Sequence, residues 1–216
     1  MATAATIPIE IYLLSSYEPD AEYVDGVIEQ RLMGEYDHAA WQVAILAYFL
    51  RRAEWKVKAL PELRVQVSRT RIRVPDVTVL DHDAPKEQII THPHLAVFEI
   101  LSAEDIVTRL LSKLADYAAM GIEGIFVIDP ATDPYYVYQQ GSLDHIGGPF
   151  PVGHCQVDLM RSRVCWLRRK STQARRRSPN DLAITGSAML APHPSSGNFS
   201  ASLSRSRRRW PHRCCR

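Results

Sequence analysis

The stretch IRVPDVTVL at residues 72–80, followed after a polar connection by LAVFEIL at 95–101 and EDIVTRLLSKLADYAAMG at 104–121, decides how this chain is read. The first two are apolar runs of strand length. The third carries apolar residues at three-to-four spacing, the period of a helix. Each apolar run holds one carboxylate where a buried strand would carry Val or Ile: Asp76 in the first and Glu99 in the second. Such a carboxylate faces water or is held by a partner, because an unpaired charge is costly to bury. Side by side, the two strands would bring both carboxylates together, and a cluster of carboxylate oxygens is what hard divalent cations bind. On the residues alone Asp76 keeps a second reading, since an acid after Pro75 can also open a turn or sit on a solvated edge. Glu99, inside its apolar run, has the weaker case for a solvated position.

Working outward, IEIYLL at 9–14 reads as a brief helix, and EYVDGVIEQRL at 22–32 as a hairpin turning at Asp25-Gly26, the strongest short-range hairpin signal. Trp41, Ile45, Tyr48 and Phe49 mark an amphipathic helix capped near Asp37. Residues 63–67 alternate as a strand, and 72–80 read as one near-continuous strand after a polar turn at 68–71. Residues 81–94 read as irregular and 95–101 as a buried strand. Ile106, Leu110, Leu114 and Tyr117 define the core stripe of a second long helix ended by Gly121. GIFVIDP and YYVYQQ complete a further strand pair. The order predicts an α/β fold, a mixed central β-sheet flanked by helices.

The chain has 216 residues, enough for one domain with a proper core. Its charge is divided unevenly. Residues 161–216 carry 13 arginines and Lys170 against a single acid, Asp181, whereas residues 1–160 hold 12 bases and 23 acids. Such a division suggests a folded body, here 1–143, with a basic and largely disordered tail, 144–216. The tail reads either as a nucleic-acid arm or, from its abrupt shift to Arg, Ser, Pro, Trp and Cys, as a reading-frame accident; the shift favours the accident. Cys155, Cys165, Cys214 and Cys215 form no zinc-site spacing, and nothing argues for an oxidising compartment. No basic leader followed by a long apolar run is present, and no window spans a bilayer. A soluble, cytoplasmic protein without a membrane partner is expected.

The segments EYVDGVIEQR, GEYDHA, VPDVTVL, VFEILSAED and KLADYAAMGIEGIFVIDP, in that order, resemble the Uma-type family of restriction endonucleases, a branch of the PD-(D/E)xK nuclease superfamily. The resemblance covers residues of roughly 10–143. It implies a restriction-endonuclease-like core, a Mg2+ or Mn2+ cofactor, and hydrolysis of phosphodiesters, most naturally in DNA. It implies Asp76 and Glu99 as catalytic metal ligands, with the Ile100 main-chain carbonyl as a third donor. The superfamily pattern places a lysine two residues after the glutamate, where this chain has Leu101. Lys113, in a KLxxY context with Leu114 and Tyr117, is the substitute that the family motif offers. Lysine's long stem makes such a migration physically feasible.

His38 matches a histidine at the start of the family's first long helix and could line the cleft; Glu29 and Glu35 could extend the acidic cluster. His82, His92 and His94 show no ligand pattern. Repulsion between two adjacent carboxylates leads one to expect that Asp76→Asn would spare the fold. The alternative to an enzyme is a weak or inactive nucleic-acid- or partner-binding module that kept the nuclease fold. A homodimer is the assembly kept open.

Overall fold

The computed structural model describes residues 6–18, 20–31, 35–102, 106–132 and 135–159. The expected disordered tail from residue 160 onward, with Cys165, Cys214 and Cys215, lies outside the described residues. The first strands are β1 (Ala21–Val24) and β2 (Val27–Gln30), joined by Asp25 and Gly26, both at positive φ. Two successive positive φ values make the type I′ turn whose twist matches antiparallel strands.

The run 72–80 is not one strand. Pro75, which cannot donate to a ladder, breaks it into β5 (Arg71–Arg73) and β6 (Val77–Asp81), and these belong to different sheets. β5 joins a five-stranded sheet, ordered β2-β1-β5-β4-β7, with β4 (Arg64–Ser68) and β7 (Ile89–Ile90). β6 joins a six-stranded sheet, ordered β11-β10-β9-β8-β6-β3, made with β3 (Val57–Pro61), β8 (Ala96–Ile100), β9 (Gly124–Ile128), β10 (Tyr135–Gln139) and β11 (Ser142–Ile146). Asp76 therefore stands at the point where the chain passes from one sheet to the other. The mixed central sheet expected from the sequence is the six-stranded one, and the separate five-stranded sheet, β3 and the short β7 were not anticipated, because neither β3 nor β7 alternates over enough residues to stand out.

In the six-stranded sheet β6 and β8 are antiparallel, with Val77 opposite Phe98, and β8 and β9 are parallel, with Glu99 opposite Val127. Side chains alternate between faces along a strand. Ala96, Phe98, Ile100, Phe126 and Ile128 accordingly pack in one core with Trp41, Ile45, Tyr48 and Phe49 of α2 (Tyr36–Leu50). Val97, Ile125 and Val127 face the other way and pack against Leu114 and Tyr117 of α3 (Val107–Met120). Glu99 shares the parity of Val97, so its side chain must meet α3. The register also carries Asp76 to the place opposite Glu99. Gly121, at φ 93°, caps α3 in the left-handed conformation open to glycine. α1 (Ile9–Leu14) lays Tyr12 on Tyr23 and Ile72, with the Tyr12 hydroxyl donating to the Ala21 carbonyl at 2.7 Å.

Two expectations about boundaries are corrected. Ile106 is exposed at the N-cap of α3 and takes no part in the core stripe, because the helix begins one residue later. The folded body does not stop at residue 143: β11 pairs with β10 through Ile146, and β12 (Phe150–Val152) and β13 (Cys155–Val157) form a hairpin. Phe150, Val152, Val157 and Leu159 are buried in the α2-side core. Their apolar residues are too few and too interrupted by glycine and proline for a periodic signal. Among the described residues no helix is long and apolar enough to cross a membrane.

Candidate active site

The sheet junction, β8 and α3 bring Asp76, Glu99 and Lys113 into one pocket of about 130 Å³, which Glu22, Arg31, His38 and Ile100 also line. All three are nearly inaccessible: Asp76 is 3%, Glu99 5% and Lys113 8% exposed. Buried charges at this density require partners, and each has them.

Asp76 is held from three sides. Its Oδ2 accepts the Ile100 N–H at 2.7 Å and lies 3.2 Å from His38 Nε2, while Oδ1 accepts from the Arg31 guanidinium. Burial alone would raise its pKa, but the His38 hydrogen bond and the charges of Lys113, His38 and Arg31 outweigh burial and hold it below the ordinary carboxylate range. The donors around it address the ionised form, which argues against the expectation that its loss would leave the fold unaffected. His38 responds in kind: burial disfavours its charge, yet Asp76 draws its pKa up.

Glu99 accepts the Tyr117 hydroxyl at 2.8 Å on Oε1 and the Lys113 ammonium at 2.8 Å on Oε2. Complete burial pushes its pKa up; Lys113 draws it down, and Asp76 and Glu22 push it up again, leaving it at about 7. Lys113 also lies 2.8 Å from Glu22 Oε1 and donates to the Val74 carbonyl at 2.9 Å. Burial disfavours its charge, but Glu22, Glu99 and Asp76 outweigh burial and raise its pKa, so it is an ammonium at neutral pH. Behind it, Glu22 accepts from Arg73 at 2.9 Å and from the Val74 N–H at 3.0 Å, and Arg73 reaches Asp116 at 2.7 Å. The result is a continuous chain of charges running from the half-buried Asp116 through the buried Arg73, Glu22 and Lys113 to Glu99.

The reading from sequence missed Glu22, Arg31 and Arg73. In the hairpin EYVDGVIEQR a charge reads as a solvated strand residue, and only the position of β1 between β2 and β5 buries Glu22. Of the other acids considered there, Glu29 touches Arg73 and Arg109 and does not line this pocket, and Glu35 is the exposed N-cap of α2. His94 is buried and does not line this pocket, bonded through Nδ1 to the His92 carbonyl.

Two adjacent carboxylates form the hard-oxygen donor set that suits Mg2+ or Mn2+ in kind. Among the described residues no group of three or more His, Cys, Asp and Glu side chains is arranged to hold a metal ion. Each Asp76 and Glu99 oxygen already accepts at least one hydrogen bond, but a carboxylate oxygen has two lone pairs, and Glu99 keeps one on each oxygen. The donor set fits a divalent cation; the positive charge of Arg31 at Asp76 competes with it.

Residues 10–149 match the Uma2 family, described as "Putative restriction endonuclease". The chain belongs to the Uma2 family. A crystal structure from Anabaena variabilis ATCC 29413, described as a "putative nuclease belonging to DUF820", is 21% identical over 74% of this chain and 97% of its own, with a TM-score of 0.62. At that identity the likeness bears on the fold, which is a mixed α/β, restriction-endonuclease-like one. A DrdV–DNA complex solved by cryo-electron microscopy is 14% identical over 57% of this chain and 10% of its own, with a TM-score of 0.34. No curated protein matches the chain.

Proposed function

We propose that this Uma2 protein is a divalent-metal-dependent endonuclease that hydrolyses phosphodiester bonds in DNA. The observation that carries the reading is the meeting of Asp76, Glu99 and Lys113 in one buried pocket, although they come from a sheet junction, a strand and a helix. Structural ion pairs rarely need two carboxylates opposite one another across a strand pair with a lysine between them and a third acid; phosphoryl chemistry does.

Asp76 and Glu99, with the Ile100 carbonyl, are the groups that would hold the cation. A bound divalent ion supplies charge neutralisation at the phosphate and an acidified water. The chain's own residues set the geometry. The Ile100 N–H and His38 fix the Asp76 carboxylate, and Tyr117 fixes Glu99. Lys113, kept charged and anchored by Glu22 and the Val74 carbonyl, presents a preorganised ammonium to a phosphate oxygen or to the attacking water. The 12 bases against 23 acids of residues 1–160 disfavour phosphate binding without a cation, so duplex binding is expected to depend on the metal.

A supercoiled plasmid incubated with the full chain and Mn2+ or Mg2+ tests the reading. Conversion to nicked or linear DNA that stops on chelation and is lost in Asp76→Asn supports it. Intact plasmid under every metal condition, from a folded preparation, favours the alternative of a binding module that kept the fold.

A further inference from the structure

Arg31 is a pocket cation, in direct contact with Asp76, that the roles above leave unused. Its guanidinium pairs with Asp76 Oδ1 and lies 3.6 Å from Glu62 Oε1; its side chain is 15% exposed, whereas that of Glu62 is 51% exposed. It follows β2 directly and reaches Asp76 across 45 residues of sequence. We infer that Arg31 is an exchangeable cation: it occupies Asp76 until a divalent ion takes that carboxylate, and the released guanidinium then binds the phosphate of the substrate.

The pocket is small, and its charges decide what can occupy it. A divalent ion and a guanidinium on the same Asp76 carboxylate would set like charges within a few ångströms where little water screens them. One of them leaves. The two other permanently charged cations of the pocket keep a partner in that event: Lys113 retains Glu22 at 2.8 Å, and Arg109 retains Glu29 at 3.2 Å and the Gln30 carbonyl at 3.0 Å. His38, also on Asp76, can meet the ion as a neutral imidazole. Of the described carboxylates that hold Arg31 charged, the ion would take Asp76 and Glu99, which leaves Glu62, which is exposed, and Glu22, whose charge Lys113 and Arg73 already share. A largely buried cation that loses its paired carboxylate is unfavourable, so the guanidinium moves to the pocket mouth or takes an anion there. The anion that the proposed reaction brings is a phosphate, and the planar five-donor fork of arginine matches two of its oxygens where a lysine could not. Metal and substrate binding are thereby coupled through one side chain.

This inference rests on the nuclease reading for its second half only. The test titrates the full-length wild type, Arg31→Met and Arg31→Lys with Mn2+ by calorimetry, and separately with a short DNA duplex in Ca2+ to hold it uncleaved. Arg31→Met is expected to bind Mn2+ at least tenfold more tightly and the duplex at least tenfold more weakly than wild type. A residue with a structural role alone would weaken both, and that outcome, or unchanged Mn2+ affinity, overturns the inference. Tighter Mn2+ with unchanged duplex binding overturns the phosphate role and leaves the nuclease reading standing. Absence of duplex binding in the wild type overturns that reading and the phosphate role with it. Should Arg31→Met lose its cooperative melting transition, Arg31→Lys decides: it keeps the charge but loses the fork, so duplex binding weakens several-fold while Mn2+ affinity stays within a few-fold of wild type, and unchanged duplex binding overturns the phosphate role.

Discussion

Lys113 Nζ lies 2.8 Å from Glu99 Oε2, although the two residues are fourteen positions apart and belong to a helix and a strand. The superfamily pattern that the sequence resembles puts the lysine two residues beyond the glutamate, where this chain carries Leu101. α3 returns over the same face of the sheet that Glu99 occupies, one turn before Tyr117, so a lysine at position 113 reaches the carboxylate from the helix side. If that ammonium acts on the phosphate or the water, Lys113→Ala lowers the cleavage rate by about 10²–10³, the scale for losing one preorganised charge donor. It also leaves Glu22 and Glu99 buried without their shared cation, which costs about 3–5 kcal/mol. Urea denaturation separates the two effects. Adding Glu99→Gln to Lys113→Ala should return part of the lost stability, and no recovery would show that the pair is not coupled.

Asp76→Asn is expected to abolish metal-dependent cleavage and to lower stability by about 1–3 kcal/mol, the range for losing charged hydrogen bonds to a buried group. Arg31, His38 and the Ile100 N–H all address the ionised form. A variant as stable as wild type would mean that Arg31 finds an equal partner, with Glu62 the nearest.

Glu99 was legible because a charge within LAVFEIL has no ordinary explanation, and Asp76 because Pro75 and the flanking valines frame it. The remainder of the site was not legible for a physical reason. Glu22 and Arg73 satisfy each other across 51 residues of sequence; Arg73 interrupts the apolar run 72–80 much as Asp76 does, but Glu22 sits in no locally anomalous pattern, and only the pairing of β1 with β5 makes their burial together necessary. The strand order has the same character. IRVPDVTVL looks continuous because both halves are buried, and its division between two sheets follows from Pro75 and from partners that lie far away in the chain.

Ending the chain after Gly141 removes β11 and the β12–β13 hairpin, and with them Phe150, Val152, Val157 and Leu159 from the core. At about 1.5–3 kcal/mol for each buried side chain, the loss is about 6–12 kcal/mol, which is comparable to the whole stability of a domain. That chain should be insoluble or show no cooperative melting. Removing 171–216 alone should shift the melting temperature by no more than about 2–4 °C, the change that about 1 kcal/mol produces in a domain of this size, because the core is closed by residues up to Leu159. A larger fall would assign the tail a packing role.

The last prediction concerns pH. Glu99 is held at about 7 in the folded chain, against about 4.3 for a free glutamate. The folded state therefore binds a proton more tightly than the unfolded state does. The stabilisation this provides is fully present below the unfolded value and is lost as pH rises through the folded one. Over that window it amounts to about 4 kcal/mol at most, from 1.36 kcal/mol per unit. Asp76 works in the opposite sense: its depressed pKa gives stability that is present above the unfolded value and is lost as pH falls through the folded one. The two contributions are separated by Glu99→Gln, which cannot titrate and imitates the protonated form. Relative to wild type, Glu99→Gln should gain stability between about pH 4.5 and 7 and level off above. Urea denaturation of both proteins at half-unit intervals from pH 4.5 to 8 measures the difference. A difference that does not change with pH would show that Glu99 stays ionised throughout, with Lys113 outweighing its burial.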